Sequence, residues 1–335
     1  MLRLGCLLIV LSFALAACGG GDEQDAGDPV ANVPSENGIR EAVKAASTPD
    51  AAAFPSAEGR TLDDIRGEVE SGPDLAMASS VFITPGENRM AFGMIGQDGL
   101  PVYGPTAVYV APDPGSPAEG PFMAPADVLL TQPRYRSKQA ATTDDPFVAV
   151  YAADVRFENE GPYSVLAVTK RSDGGLVGAT AEITVSSKEA SPVPAVGDKA
   201  PKVQTDTLES VGGDEALLDT REPPSDMHAN FADVVGKKPV ALLFATPQLC
   251  QTLVCGPVAD IALQMQAKYG DRMTFIHQEV YVDNDVQKGV REPLKQFNLP
   301  SEPWLFVVDA DGKITARLEG SIGVAAFEDA VKTAL

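Results

Sequence analysis

Apolar and polar positions along this chain follow two rhythms, and the change falls near residue 191. Short alternating or β-branched runs recur first, at 77–83, 90–95, 107–111, 147–157, 163–169 and 181–185. Turn residues separate them: Pro85-Gly86, Asp98-Gly99, Pro112-Asp113-Pro114-Gly115 and Asp173-Gly174-Gly175. Alternation turns one face of each strand toward a core, and the Gly and Pro positions reverse the chain between strands. No helical period intervenes, so residues 73–190 are expected to form an antiparallel β-sandwich. Residues 39–72 read as a short helical lead-in, with Thr61 capping a helix over 62–69.

Ser191-Pro192-Val193-Pro194 has a linker's composition, and beyond it helix and strand patterns alternate. Helices are expected from 225 or 226 to 236, from 257 to 270, over 286–298, and from 324 to the C-terminus. The second is the clearest: Val258, Ile261, Ala262, Met265 and Tyr269 fall at i, i+3, i+4, i+7 and i+11. That spacing makes one apolar stripe facing a sheet, with Pro257 suited to the first helical position and Gly270 to the C′ position. Strands are expected at 240–245, 273–282, 304–308 and 314–318, the last two joined by the turn Asp309-Ala310-Asp311-Gly312. This order predicts a small α/β sheet: two right-handed parallel crossovers, then an antiparallel hairpin and a closing helix.

Composition changes the picture at the N-terminus. Arg3 precedes an apolar run at 7–15, too short to span a bilayer, followed by Leu15-Ala16-Ala17-Cys18. The segment 1–17 resembles a bacterial lipoprotein signal, and the resemblance implies cleavage before Cys18, lipidation of that cysteine and an extracytoplasmic chain anchored to a membrane. An ordinary secretory signal is the alternative. Residues 18–38 read as a flexible tether, since 19–37 contain no lysine, arginine or aromatic residue. Lys and Arg number 26 against 47 Asp and Glu, a formal charge of -21. Loss of Arg3 takes the mature chain to -21 - 1 = -22. Such a balance argues against nucleic acid as a partner.

Charge names no ligand, but the cysteine count narrows the chemistry. Of the 4 cysteines, Cys6 leaves with the signal and Cys18 would carry lipid. Cys250 and Cys255 remain, able to pair only with each other or with another protein. A four-cysteine zinc site is excluded by count. The pair lies between the strand at 239–245 and the helix opened by Gly256-Pro257. A helix N-terminus favours a thiolate, which is the species that attacks disulfides. Residues five apart on a regular helix point about 140° away from each other. A bond between the two therefore needs Cys250 in the loop and 251–254 as a bulged turn.

Residues 196–335 resemble the redoxin group, the thioredoxin-like domains of exported proteins. Val196-Gly197-Asp198-Lys199-Ala200-Pro201 resembles their opening segment, and Phe244-Ala245-Thr246 the strand end before the first active cysteine. Glu302-Pro303-Trp304 falls where that group keeps its cis-proline. The resemblance implies thiol-disulfide exchange with no cofactor, acting on protein thiols or disulfides. It makes Cys250 the attacking thiol, Cys255 the resolving thiol, and a cis Pro303 the residue beside a partner strand. The Cys-x4-Cys spacing departs from that group's Cys-x2-Cys. Local chemistry also pulls the other way, because a helix starting at Pro257 puts Cys255 nearer the dipole. Gly161-Pro162-Tyr163 looks like the start of a late strand in immunoglobulin-like domains, where a tyrosine hydroxyl pins a corner.

Other readings of the pair stay open. A permanent disulfide would close a short loop and constrain little chain entropy, leaving a non-catalytic binding lipoprotein. Copper handling is known on this fold with Cys-x3-Cys and a histidine ligand, but Ser301 falls at the histidine's place. His228 is expected on the surface and His277 packed in a strand, so a metal at the cysteines would be two-coordinate at best, and no metal site is assigned. The peroxiredoxin pattern Pro-x3-Thr-x2-Cys is absent. Arg134, Arg136 and Lys138 read as a solvated basic loop.

Overall fold

The computed structural model describes residues 27–140, 147–250 and 255–335. The signal segment 1–17, the lipidation position Cys18, residues 19–26 of the tether and residues 141–146 and 251–254 lie outside the described residues. Among the described residues, no helix is long and apolar enough to cross a membrane.

The lead-in holds α1 (Ile39–Ala46) and α2 (Leu62–Arg66). Thr61 Oγ1 accepts the Asp64 N–H at 3.2 Å and the Asp64 carboxylate accepts the Thr61 N–H at 2.9 Å, a capping box. The helix stops at Arg66, short of the expected 69.

Ten strands follow: β1 (Glu70–Ser71), β2 (Asp74–Met77), β3 (Phe82–Thr84), β4 (Gly86–Ile95), β5 (Thr106–Ala111), β6 (Glu119–Met123), β7 (Ala126–Val128), β8 (Ala149–Phe157), β9 (Gly161–Lys170) and β10 (Leu176–Ser187). They make two sheets, ordered β1-β10-β9-β5-β6 with β3 also on β10, and β2-β4-β8-β7. Pairing is antiparallel apart from β1 and β3 against β10. Met90, Phe92 and Val155 of one sheet share a core with Val108, Val165 and Ile183 of the other. The expected run at 77–83 breaks in two. Ala78 and Ser79 both donate to the Ala91 carbonyl and the Ser79 hydroxyl accepts the Ala91 N–H, so the ladder ends there and the chain changes sheets. Tyr163 stacks edge-on to Phe157 at 4.8 Å. The hydroxyl that holds a turn belongs to Tyr151, which accepts the Gly104 N–H at 2.9 Å and lies 3.0 Å from the Val102 carbonyl.

The second region contains α3 (Glu215–Leu218), α4 (Phe231–Val234), β11 (Val240–Phe244), α5 (Cys255–Tyr269), β12 (Thr274–Gln278), α6 (Glu292–Gln296), β13 (Trp304–Val308), β14 (Ile314–Glu319) and α7 (Val324–Lys332). Its sheet runs β12-β11-β13-β14. Every residue of β11 and β13 is buried, because the sheet is covered on both faces. Leu243 and Leu305 meet Ile261 of α5 and Phe327 of α7 on one side; Phe244 and Phe306 meet Phe297 on the other.

The thioredoxin-like order is present, with one correction to the pairing. Only β11 and β12 are parallel, Val240 opposite Thr274, whereas β13 runs antiparallel to β11, Phe244 opposite Trp304. The second crossover is absent because the segment from 279 to 303 starts and ends at one end of the sheet. A return at that end must run the other way. The segment is irregular as well: Gly289 at φ 78° and Pro293 split the expected 286–298 helix into a 3-10 turn and the five-residue α6. The helix expected from 225 shrinks to α4, capped by Asn230, whose Oδ1 accepts the Ala232 N–H.

Candidate functional site

The antiparallel start of β13 puts Glu302 and Pro303 beside the end of β11, where the chain leaves through Ala245 and Thr246 toward the cysteines. The Leu249 and Cys250 N–H groups both reach the Thr246 carbonyl, at 3.3 and 3.1 Å, forming a tight turn. Cys250 therefore sits in the loop, and Cys255 lies in the first described turn of α5. Cys250 is 9% exposed and Cys255 0%. The two thiols share a hydrogen bond. The Glu302–Pro303 peptide is cis. The structure thus brings Cys250, Cys255 and the Glu302–Pro303 bend to one end of the sheet; Cys18 lies outside the described residues.

Electrostatics at this end does not favour a resting thiolate at Cys255. Burial pushes its thiol up, and the hydrogen bond and charge of Cys250 and the charge of Glu302 add to that; a backbone hydrogen bond from Thr246 opposes them. Proximity to the helix start is outweighed by desolvation. Glu302 is likewise pushed up, first by burial and then by Cys250, while the Tyr281 hydroxyl, donating to Oε1 at 3.4 Å, pulls the other way. Burial and Glu302 raise Tyr281 in turn. Sequence reasoning missed Glu302 as a participant. It stood in the pattern only as the residue before Pro303.

A buried polar layer lies under the loop. His277, on β12, has Nε2 3.1 Å from the Ala245 carbonyl and Nδ1 3.4 Å from Asp219 Oδ1. Burial alone would lower the imidazole, but Asp219 more than compensates and it is pushed up to about 9. Asp219 is held far below the usual carboxylate range: burial opposes this, and His277, His228 and the Ser225 N–H outweigh it. His228 was expected on the surface. Its side chain is 10% exposed, with Nε2 3.3 Å from Asp219 Oδ2, because the segment before α4 folds inward rather than forming a helix. Arg221 pairs with Asp260 of α5 at 2.8 Å, both at most 2% exposed.

The far face of α5 departs from the single-stripe expectation. Gly256, Ala259, Asp260 and Gln264 are buried too. The loop after β7 covers them: the Ser137 N–H and hydroxyl donate to Asp260 Oδ2, and the Gln132 N–H to Gln264 Oε1. The basic cluster lies along this seam with Arg134 and Lys138 exposed, as expected of a solvated loop. Lys138 pairs with Glu222, and Arg136 Nε donates to the Thr131 carbonyl at 3.0 Å.

No protein-family model and no curated protein matches this chain. Similar solved structures include a protein described as the thiol:disulfide interchange protein DsbE of Chlorobium tepidum, 18% identical, with a TM-score of 0.30 over 42% of this chain and 97% of that one. A thiol:disulfide interchange protein of the thioredoxin family from Chlorobium tepidum TLS is 18% identical, with a TM-score of 0.28 over 42% and 98%. The PKD domain of an M14-like peptidase from the Thermoplasmatales archaeon SCGC AB-540-F20 is 14% identical, with a TM-score of 0.18 over 34% and 93%. These are partial likenesses at low identity. The thioredoxin-like order of 196–335 stands on its own strand register.

Proposed function

We propose that the chain is a thiol-disulfide exchange protein working through Cys250 and Cys255. The observation that supports this most directly is the hydrogen-bonded thiol pair at the end of the sheet, Cys250 slightly exposed and Cys255 fully buried. In one direction, the Cys250 thiolate attacks a partner disulfide, forming a mixed disulfide and releasing one partner thiolate. The Cys255 sulfur, deprotonated, then attacks Cys250, releasing the second thiolate and closing the internal disulfide. Two electrons pass to the partner; the reverse sequence oxidises a partner dithiol. Glu302, with its carboxyl pushed up beside the pair, is suited to take the Cys255 proton. Burial and the raised Cys255 thiol support Cys250 as the attacker.

The test is a redox titration with trapping. The pair is expected to show a potential of about -120 to -270 mV, the range of working exchange proteins, rather than below about -300 mV, where structural disulfides lie. Cys255→Ser should accumulate mixed disulfides through Cys250, and Cys250→Ser far fewer. A pair that stays oxidised below about -300 mV, with neither variant trapping a partner, ends this reading in favour of a binding lipoprotein with a stapled loop.

The N-terminal pattern extends the proposal to an extracytoplasmic protein held to a membrane by lipid on Cys18, acting on protein thiols or disulfides there. An intact mass showing an unmodified N-terminus at residue 19 or beyond would remove the anchor. For the β-rich region, the two packed sheets support an immunoglobulin-like sandwich.

A further inference from the structure

Apart from the cysteines, three buried side chains converge beneath their loop. Asp219, His277 and Glu279 each offer a ligand atom, and these atoms all lie within 4.8 Å of one another. The residues are 4%, 1% and 0% exposed. Two of their polar atoms, His277 Nδ1 and Glu279 Oε2, are buried without a hydrogen-bond partner. Such an atom is destabilising unless something fills the gap.

Other atoms of the same residues are firmly held. His277 Nε2 lies 3.1 Å from the Ala245 carbonyl and donates to it, so in the neutral imidazole the lone pair is on Nδ1, and a metal ion would displace the proton that Asp219 otherwise holds there. Glu279 Oε1 accepts the Thr220 N–H and hydroxyl, both at 2.7 Å. Asp219 Oδ2 accepts the Ser225 N–H and hydroxyl at 2.8 Å, and Oδ1 the Arg221 N–H at 2.8 Å. Outer-shell bonds of this kind orient metal ligands; they leave His277 Nδ1 and Glu279 Oε2 free, while Asp219 Oδ1 would coordinate through its second lone pair.

The Asp219–His277 spacing fits zinc. Asp219 Oδ1 and His277 Nδ1 are 3.4 Å apart. Two ligands at about 2.0–2.1 Å from a tetrahedral zinc ion stand about 3.4 Å apart. Around an octahedral magnesium ion they would stand about 3.0 Å apart. Two carboxylates and one neutral imidazole also carry a formal charge that a dication cancels, whereas Arg221 is already matched by Asp260.

We propose that Asp219, His277 and Glu279 form a buried site for one zinc ion, with water as the fourth ligand. It would tie the end of β12 to the 219–228 segment and, through His277 Nε2, to Ala245 at the root of the cysteine loop. An open cavity of about 640 Å³ reaches Asp219 and His228, with Arg134 and Arg136 among its lining residues. Arg221, Glu215 and Asp226 line it as well, so its charges balance and do not bar a cation from reaching the site.

The test is to unfold the full chain in chelator, refold it with zinc sulfate or with chelator, dialyse, and measure metal by mass spectrometry. About one zinc per chain is expected after refolding with zinc. Glu279→Gln keeps an acceptor for Thr220 and replaces the free carboxylate oxygen with an amide; it should fold with native circular dichroism and retain at least about tenfold less zinc. Asp219→Asn should do the same if it folds. The Cys250→Ser/Cys255→Ser double variant should keep its zinc, and cobalt in place of zinc should give tetrahedral d–d bands without a thiolate charge-transfer band. Zinc content no higher in the wild type than in Glu279→Gln, which would mean a proton on His277 fills the gap instead, overturns the proposal. Loss of zinc with the cysteines overturns it too. Neither result touches the exchange activity, which the potential and trapping measure separately.

Discussion

At the scale of single residues, Glu302 carries the most consequence. The folded protein holds its proton more tightly than an unfolded chain does, since burial and the neighbouring Cys250 raise the carboxyl above its ordinary 4.5. The stability this lends is fully present below 4.5 and is lost as pH rises through the folded value. Glu302→Gln has no such loss. The denaturation midpoint of the wild type should therefore fall relative to the variant between mildly acid and neutral pH. The same change removes a charge that raises Cys255, so alkylation of Cys255 in a Cys250→Ser background should begin at lower pH. Parallel midpoint curves and an unmoved alkylation profile would remove Glu302 from the site. The two cysteines and Pro303 were legible because a strand, two thiols and an X-Pro bond follow one another in a pattern with a mechanism. Glu302 was not, because its chemistry comes from burial that no local pattern reveals. Asp219 and His228 escaped for a related reason: they sit in a segment with no period, where burial depends on what folds over it.

At the scale of elements, α5 explains both what periodicity reads and what it misses. Its stripe of Val258, Ile261, Ala262 and Met265 packs on the sheet as the spacing predicts. The opposite face is polar or small in sequence yet buried, because the loop after β7 lies on it, and that contact is non-local. Gly256 marks how close the approach is: a Cβ there would stand 2.1 Å from the Gln139 carbonyl oxygen. Gly256→Ala must displace either the helix start or the 137–140 segment. We expect it to destabilise by about 1–3 kcal/mol, the usual range for overpacking. Since Cys255 is the preceding residue, its reaction with iodoacetamide should also quicken. A denaturant midpoint and alkylation rate equal to wild type would mean that the loop gives way freely. The same non-local logic governs strand direction. The period of residues 304–308 reads as a strand, but only the irregular 279–303 segment, beginning and ending at one end of the sheet, decides that β13 runs against β11.

At the scale of the whole molecule, two sets of cores meet across polar contacts. The sandwich core draws on residues before the linker and the α/β cores draw largely on residues after it. Between them, Asp127 of β7 accepts the Ala325 and Ala326 N–H groups at 2.9 Å each, capping α7 where Gly323 offers no side chain. Glu319 accepts the Val81 N–H at 2.9 Å, and Arg89 donates to the Ser321 carbonyl at 2.9 Å. We propose that this seam joins two separately folding regions, as polar inter-domain interfaces do. The connection is accessible only in part: Lys188, Glu189 and Ala190 are exposed, whereas Val193 is 4% exposed and packs with Phe231 and Val240. Brief trypsin treatment should therefore cut after Lys188, upstream of the proline-rich stretch, and the two fragments should still elute together. Asp127→Ala removes the cap on α7, worth about 0.5–2 kcal/mol, and leaves Arg89 with one fewer carboxylate nearby. In that variant the cut fragments should separate at lower denaturant than in the wild type. Residues 196–335 produced alone should refold with a cooperative transition of their own. Resistance to trypsin between 188 and 196, together with failure of 196–335 to refold, would make the chain one cooperative unit and its polar seam part of a single core.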